Sequence, residues 1–209
     1  MNGHMRNDRR RVDDAVRFLK SFVGAPGLTG AVAPSGRALA RAMAAAVGPL
    51  AHGLVVELGP GTGPVTRALI ERGLDLRHLV LVEYDRDFCR MLQSRFARAT
   101  VIQSDAYDLP CALTAVAGSP IRAIVSSLPL LNQPPRRRVK LIEDAFALMG
   151  PDGVFVQFTY GLVSPIPRQA CAGRYSSHCG APVWRNLPPA RVWTYRMEAA
   201  TPRTDRHRT

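Results

Sequence analysis

Several signals that would place a protein in a familiar class are missing from this 209-residue chain. No long apolar run is present, because the stretch 42–58 is broken by Gly48, Pro49 and His52 and is too short to span a bilayer. Charged residues dominate the N-terminus, which has no cleavable signal. We therefore expect a cytoplasmic protein that does not cross the membrane.

Cysteine is scarce, and its spacing does not suit a metal. The four cysteines lack the paired spacing of zinc ligands, so no metal is expected. Cys89 falls on a predicted helix and Cys111 near the start of one, which predicts buried thiols. Cys171 and Cys179 share a predicted loop and could pair, although a reduced pair is the expectation in the cytoplasm.

Acidic residues are few compared with basic ones. The chain has 28 lysines and arginines against 16 aspartates and glutamates, a formal net charge of +12. A surface this basic favours an anionic partner, either nucleic acid or a membrane rich in anionic lipid. The hydrophobic fraction of 46% is ordinary for a soluble globular protein, and the length fits one domain with its own core.

The most informative motif is a glycine loop that follows a predicted buried strand, within residues 54–63. Glycines at 59, 61 and 63 remove side chains where backbone must pass close to a ligand. The loop has no lysine, which excludes a Walker phosphate loop, and Pro64 stands where the dinucleotide fingerprint needs its third glycine. The pattern Glu-x-Gly-x-Gly-x-Gly, starting at Glu57, instead resembles motif I of the class I S-adenosyl-L-methionine (SAM)-dependent methyltransferases.

Two further predicted strands end in carboxylates at suitable spacings. The strand within 79–85 lies about 20 residues after the loop, and Glu83 at its end fits hydrogen bonding to both hydroxyls of a ribose. Asp85 is expected to cap the following helix. Residues 101–106 form a short strand before Asp105, which the resemblance places near the adenine amino group, although Ser-Asp is also a common turn dipeptide.

Strands that alternate with helices predict the overall fold. Helical patterns occupy 64–73, 86–97, 108–117 and 135–149, and further strands are predicted within 121–129, 153–160, 183–185 and 191–196. This order predicts an α/β protein with a doubly wound, seven-stranded class I methyltransferase (Rossmann-like) sheet. Ligands in such sheets bind beyond the carboxyl ends of the strands.

The methyltransferase resemblance implies a set of SAM-binding residues. They are Ser35, Glu57, Gly59, Gly61, Thr62, Gly63, Glu83, Tyr84, Asp105, Ala106, Ser126 and Leu128. Ser35 opens a helical run, 35–47, and its hydroxyl either caps that helix or lies near the cofactor. The loop after the fourth strand is expected to hold the methionine end of SAM and the acceptor atom.

The N-terminal segment has a helical period between residues 9 and 23. Val12, Val16 and Leu19 share one face, and Arg17 and Lys20 lie opposite. Such an amphipathic helix either lies flat in an anionic lipid interface or packs on the domain, and it could exchange between the two. The predicted organisation is a membrane-associating helix and linker (1–30), a methyltransferase domain (31–198) and a disordered basic tail (199–209).

A second basic cluster, 136–140, opens the helix after the fourth strand. Cations at a helix N-terminus oppose the helix dipole, so binding of a phosphate explains the cluster better than a solvated face does. The segment 161–182 is long for a connection and is predicted to cover the head group of the substrate. The substrate-binding candidates are Arg136 and Arg174 for a phosphate, and Tyr107, Tyr160 and Tyr175 for a methylated ammonium.

The loop after the fourth strand also bears on which acceptor receives the methyl group. Adenine N6-methyltransferases have Asn or Asp, any residue, Pro and an aromatic residue here, to hold the amine and to stack on the base. This chain has Ser127 and Leu130 at the two outer positions. It lacks the main acceptor and the stacking ring, so nucleic-acid modification is the second candidate and no stable nucleic-acid partner is expected.

The remaining motifs resemble a narrower family. The segments 30–35, 56–63, 126–129 and 157–161 are similar to the soluble bacterial phospholipid N-methyltransferases, and the resemblance covers about residues 10–197. It implies SAM as the methyl donor and stepwise conversion of phosphatidylethanolamine to phosphatidylcholine. It also implies peripheral binding to the anionic inner surface of the membrane.

The chemistry requires few ionisable groups. Methyl transfer from a sulfonium is governed mainly by placement, and a desolvated pocket beside a cation lowers the pKa of the acceptor amine. Tyr160 and His178 are the candidates for a catalytic base. The alternative is that Tyr160 is a packed tyrosine at a strand end and His178 a histidine of a surface loop. Three functions stay open: a phospholipid N-methyltransferase, an RNA or small-molecule methyltransferase of the same fold, and a non-catalytic SAM- or lipid-binding module.

Overall fold

A computed structural model describes residues 34–49, 52–168, 173–186 and 188–198. The predicted N-terminal amphipathic helix, Cys171 and the tail from residue 199 lie outside the described residues. Within the described residues, no helix is long and apolar enough to cross a membrane.

Helices and strands alternate along the chain as far as the fifth strand. In chain order the elements are α1 (Pro34–Ala46), β1 (Leu54–Leu58), α2 (Pro64–Glu71), β2 (Leu79–Glu83), α3 (Arg86–Arg95), β3 (Thr100–Gln103), α4 (Leu109–Ala112), β4 (Ile121–Ser126), α5 (Pro135–Met149), β5 (Val154–Thr159), β6 (Tyr175–Cys179) and β7 (Arg191–Met197). The predicted helices are therefore present, although the pattern at 108–117 gives only the short helix α4 and a following 3-10 turn. Asp85 caps α3 as predicted, because its Oδ1 accepts hydrogen bonds from the N–H groups of Asp87 and Phe88.

All seven strands belong to one sheet, in the order β3-β2-β1-β4-β5-β7-β6. The strands β1 to β5 are parallel, and β7 runs antiparallel to both β5 and β6. Strand order reverses between β1 and β4, so the carboxyl ends of these two strands flank the switch point at which such sheets bind ligands. The predicted doubly wound fold is confirmed.

Two apolar layers cover the two faces of the sheet. Residues of α1, α2 and α3 pack on one face, and residues of α4 and α5 pack on the other. Strand β2 is buried along its whole length, which explains its unbroken apolar sequence from Leu79 to Val82. Because helices cover both faces, the carboxyl ends of the strands are the part of the sheet at which a ligand can bind.

The last strand pair differs from the sequence-based prediction. The strand expected at 183–185 makes only an isolated bridge, between Val183 and Ala190, and the true partner of β7 is β6. Pro182 and Pro188 flank the mispredicted segment and cannot donate to a ladder. Strand β6 is an edge strand of small polar residues, so it has no apolar alternation by which to be found. The predicted covering segment 161–182 is therefore partly sheet.

The cysteines of α3 and α4 have different environments. Cys89 is buried as predicted, and burial raises the pKa of its thiol to about 11. The prediction for Cys111 is wrong, because this thiol is exposed. Helix α4 is a single turn that buries Leu109 and Ala112, so its intervening residues face solvent.

Candidate cofactor and acceptor site

The glycine loop between β1 and α2 is shaped by its protein neighbours. Gly59, Gly61 and Gly63 all have left-handed backbone, with φ of 65°, 55° and 78°. A Cβ on Gly63 would lie 2.8 Å from the ring of Phe96, and one on Gly59 would lie 3.0 Å from the side chain of Leu128. The missing side chains therefore let the loop fit closely between α3 and the loop after β4.

Glu83, at the end of β2, fastens the glycine loop to the strand. Its Oε2 accepts a hydrogen bond from the N–H of Gly61 at 3.0 Å. Its Oε1 accepts from the N–H groups of Tyr84 and Asp85, at 2.8 and 3.0 Å. The carboxylate is buried, and three of its about four lone-pair positions are in use, so it can also accept from one hydroxyl of a ribose and not from both. The structure thus brings Glu83 and the glycine loop together, and their binding of SAM stays a prediction.

Glu57, inside β1, is a fully buried acid with one oxygen unpaired. Its Oε2 accepts from the Thr66 hydroxyl at 2.6 Å, and its Oε1 has no hydrogen-bond partner among the described residues. Burial raises the pKa of this carboxyl to about 7, against the lowering effect of the Thr66 hydrogen bond. An unpaired buried acceptor beside a glycine loop suits a ligand that brings a hydrogen-bond donor or a cation.

Asp105, after β3, is held from both sides. Its Oδ1 accepts from the N–H of Tyr107 at 2.9 Å, and its Oδ2 pairs with Nη2 of Arg137 at 2.9 Å. The same guanidinium lies 4.3 Å from the centre of the Tyr107 ring and donates to the side-chain oxygen of Gln133. An arginine of α5 therefore reaches the carboxylate predicted to face the adenine. In the sequence, Arg137 is recognisable only as one member of the basic cluster 136–140.

The loop after β4 is fixed by a buried glutamine that sequence analysis missed. Nε2 of Gln157 donates to the carbonyl oxygens of Leu128, at 2.9 Å, and of Phe158, at 2.7 Å. The N–H of Ser127 donates to the Leu58 carbonyl at 2.9 Å, which joins this loop to the end of β1. A polar residue inside the apolar run of β5 was the available sign of this role. The loop is thus held rigidly beside Gly59.

Leu130 does not lie where a stacking ring would be useful. Its side chain is buried in the layer between α5 and the sheet. The position that is aromatic in adenine methyltransferases is therefore part of the core, and no ring stands in its place.

Two of the substrate candidates lie at the carboxyl ends of the parallel strands, where the glycine loop also lies. Tyr160 follows β5, its ring packs edge-on against Phe158 at 5.5 Å, and Nδ2 of Asn186 lies 3.5 Å from its hydroxyl. Arg136 is exposed in the first turn of α5. Tyr107 is already covered by Arg137, so its ring face is in use.

The structure does not bring Arg174 and Tyr175 to the carboxyl ends of the parallel strands. Strand register pairs Tyr175 with Met197, beyond the start of β5, so Tyr175 and the preceding Arg174 lie toward the opposite edge of the sheet. Tyr175 is buried and stacked on Phe146 at 4.8 Å. Arg174 pairs with Glu143 at 2.8 Å. Both were expected in a covering loop, and the strand β6 is the reason that they are not.

His178 is also misplaced as a catalytic candidate. It lies in the middle of the edge strand β6, exposed and paired with Thr194. Three strands separate β6 from β1, so His178 is roughly 19 Å from the glycine loop in the plane of the sheet.

Ser35 does not take the capping position that the sequence predicts. Helix α1 is described from Pro34, so Ser35 lies inside its first turn. The side chain of Ser35 is outside the described residues, and its contact with the cofactor stays a prediction, as do those of Thr62 and Ala106.

Comparison with known proteins identifies this arrangement. The family described as ribosomal RNA adenine dimethylase matches residues 42–129. In fold, the chain superimposes on a glycopeptide N-methyltransferase complexed with S-adenosyl-L-homocysteine (SAH), with a TM-score of 0.59 and 15% identity, over 87% of this chain and 97% of that one. The described residues between 34 and 198 therefore have the fold of the class I SAM-dependent methyltransferases.

Two relatives match parts of this chain in sequence. The ornithine lipid N-methyltransferase of Singulisphaera acidiphila is 33% identical over 109 residues, which are 51% of this chain and 57% of that protein. The ribosomal RNA small subunit methyltransferase A of Synechococcus sp. (strain JA-3-3Ab) is 48% identical over 59 residues, which are 27% of this chain and 20% of that protein. The chain therefore spans 57% of the length of the first relative and a fifth of the length of the second.

Proposed function

We propose that this methyltransferase acts on phospholipid, transferring methyl groups from SAM to the amine of phosphatidylethanolamine and of its methylated intermediates to give phosphatidylcholine. The observation that carries the proposal is the loop after β4. Ser127 and Leu130 replace the acceptor and the ring with which adenine N6-methyltransferases hold a base, and Leu130 is buried in the core. A small aliphatic amine needs neither of these groups.

One relative supports an amine lipid as the acceptor. The ornithine lipid N-methyltransferase is aligned over half of this chain, and its name gives it a lipid that bears an amine as its acceptor. The chain also carries a formal net charge of +12, which favours an anionic surface as the place of work.

The residues of the site have separable tasks in this reaction. SAM supplies a methyl group already activated by a cationic sulfonium. Glu83 accepts from the ribose, and the glycine loop lets the backbone approach the ligand. Gln157 holds the Leu128 carbonyl, and the Leu128 side chain lies against Gly59, so the loop that meets the acceptor amine keeps its position.

The acceptor amine must lose a proton before it attacks. An amine with a pKa near that of lysine needs roughly 4–5 kcal/mol to become neutral at pH 7. Desolvation beside the sulfonium lowers that pKa, and the proton leaves to water. Of the two base candidates, Tyr160 is the one that lies at the carboxyl ends of the parallel strands.

A ribosomal RNA or small-molecule methyltransferase is the second candidate. It is favoured by the family match over 42–129 and by the 48% identity to an rRNA methyltransferase over 59 residues. The family match ends at residue 129, so it covers the cofactor side and Ser127 but not Leu130.

Methyl transfer to two acceptors in parallel tests the proposal. The protein is incubated with methyl-labelled SAM and either phosphatidylethanolamine in mixed micelles or small-subunit ribosomal RNA, and lipid products are separated by thin-layer chromatography. We expect label in mono-, di- and trimethylated lipid and none in RNA, and the Glu83→Ala variant should abolish it. Label in RNA alone would favour the second candidate. Binding of SAH without labelled product in either acceptor would favour a non-catalytic module.

A further inference from the structure

Four large apolar side chains are exposed at the edge of the sheet that carries the acceptor loop. They are Leu131 (46% exposed) after β4, Leu162 (82%) and Val163 (69%) after β5, and Trp184 (72%) before β7. We call these four residues the apolar rim. Three separate loops contribute to it, so it does not follow from the amphipathic pattern of any one element.

The three loops are neighbours in space. A Cβ on Gly161 would lie 3.0 Å from Cδ1 of Leu131, so the turn after β5 touches the turn after β4. Asn186, two residues from Trp184, places its Nδ2 3.5 Å from the hydroxyl of Tyr160, at the end of β5. The three loops that carry the rim therefore lie next to one another at the carboxyl ends of β4 and β5.

The charge around the apolar rim is of one sign. Between residues 153 and 197 the sequence has no aspartate or glutamate and five arginines, of which Arg174 and Arg196 lie toward the opposite end of the sheet. No acid occurs between 126 and 142. Arg136, Arg168 and Arg185 are exposed beside the rim residues in the chain. Exposed apolar groups that are flanked by cations match the two layers of an anionic lipid surface, its acyl boundary and its phosphates.

We propose that the apolar rim inserts into the interface of an anionic phospholipid membrane, with the flanking arginines at the lipid phosphates and the acceptor site open toward the lipid. The proposal rests on the proposed function, because a lipid acceptor is the reason for the site to face a membrane. It is separate from the predicted N-terminal helix. An RNA partner would use the arginines, but it would leave Leu162 and Val163 without a role.

Tryptophan fluorescence tests the contact directly. The chain has two tryptophans, so Trp193→Phe leaves Trp184 as the only one. With vesicles of phosphatidylcholine and phosphatidylglycerol, we expect its emission to shift to the blue and to be quenched by lipids brominated along the acyl chain. Vesicles that sediment the protein while Trp184 emission stays as in buffer would overturn the proposal, as would failure to bind vesicles. A shift caused by ribosomal RNA alone would also overturn it.

A double variant measures what the rim contributes. Leu162→Ser with Val163→Ser should weaken partition into the same vesicles by at least roughly tenfold, since each residue loses a buried apolar side chain. Met197→Ser, at the opposite edge and 40% exposed, is the matched control and should change nothing. Unchanged partition of the double variant would contradict the proposal that the apolar rim inserts into the membrane.

The rim and the proposed function can fail independently. Methylation of phosphatidylethanolamine in detergent micelles by the unmodified protein tests the function without a bilayer. If micellar lipid is methylated but the double variant binds vesicles normally, the rim is wrong and the function stands. If the rim residues prove necessary for vesicle binding while no lipid is methylated, the function is wrong and the rim stands.

Discussion

The two halves of the functional edge have opposite chemistry. The cofactor half, at the ends of β1, β2 and β3, carries the carboxylates of Glu57, Glu83 and Asp105, each with at least one oxygen in a hydrogen bond. The acceptor half, at the ends of β4, β5 and β7, has arginines and exposed apolar groups and no carboxylate between 153 and 197. One half suits a small ligand rich in donors, and the other suits an anionic, partly apolar partner.

Sequence similarity follows the same division. The rRNA adenine dimethylase family matches residues 42–129, which include β1 to β4 and little of the acceptor half. Similarity in the cofactor half reports the methyl donor, because any acceptor class can be combined with it. The acceptor is therefore to be sought in the half that the family does not match.

Removal of the Glu83 carboxylate should have the largest effect, and that effect should be on binding of the cofactor. Glu83→Ala removes the acceptor for three backbone N–H groups as well as for the ribose, so SAH affinity should fall on the order of 100-fold. Isothermal calorimetry measures this, with the exposed Asp87→Asn on α3 as the control. Unchanged affinity of Glu83→Ala would remove the basis for the cofactor half.

Glu57 should make the stability of the protein depend on pH. Its pKa is raised from 4.5 to about 7 in the fold, so it lowers stability as pH rises through this window, by about 3 kcal/mol in full. Glu57→Gln should therefore gain stability relative to the unmodified protein at about pH 8, and much less at about pH 5. Urea unfolding at both values measures the difference, with Glu71→Gln, an exposed acid of α2, as the control.

Arg136 and Arg174 now form a matched pair that sharpens the comparison. Both were predicted to hold a lipid phosphate, but Arg174 pairs with Glu143 away from the site. Arg136→Ala should lower kcat/KM for lipid roughly tenfold without changing SAH affinity, and Arg174→Ala should leave both unchanged. Equal losses in the two variants would show that general surface charge, and not position, governs lipid binding.

Arg137 tests whether the cofactor half and the acceptor half are independent, because it belongs to α5 and pairs with Asp105 of the cofactor half. Arg137→Ala should weaken SAH binding and lipid turnover together, each by roughly threefold, as expected of one partly exposed ion pair. Parallel calorimetry and turnover assays measure both. An effect on turnover alone would assign Arg137 to the acceptor half.

Much of the cofactor half could be predicted from local patterns. The glycine spacing, the acid at the end of β2 and the cap at Asp85 each depend on residues close in the chain, and each is present. The contact of Arg137 with Asp105 spans 32 residues and has no local pattern. Gln157 was visible as a polar residue in an apolar strand, but its bond to Leu128 was not.

The order of strands and helices, and hence the class of fold, was set by the hydrophobic periods and turn residues along the chain, because each element is formed by its neighbours in sequence. The edge strand β6, the removal of Arg174 and Tyr175 from the site, and the meeting of three loops at the apolar rim were decided only by tertiary packing. Pairing between distant segments depends on which faces are already occupied, and no local pattern in this chain records that.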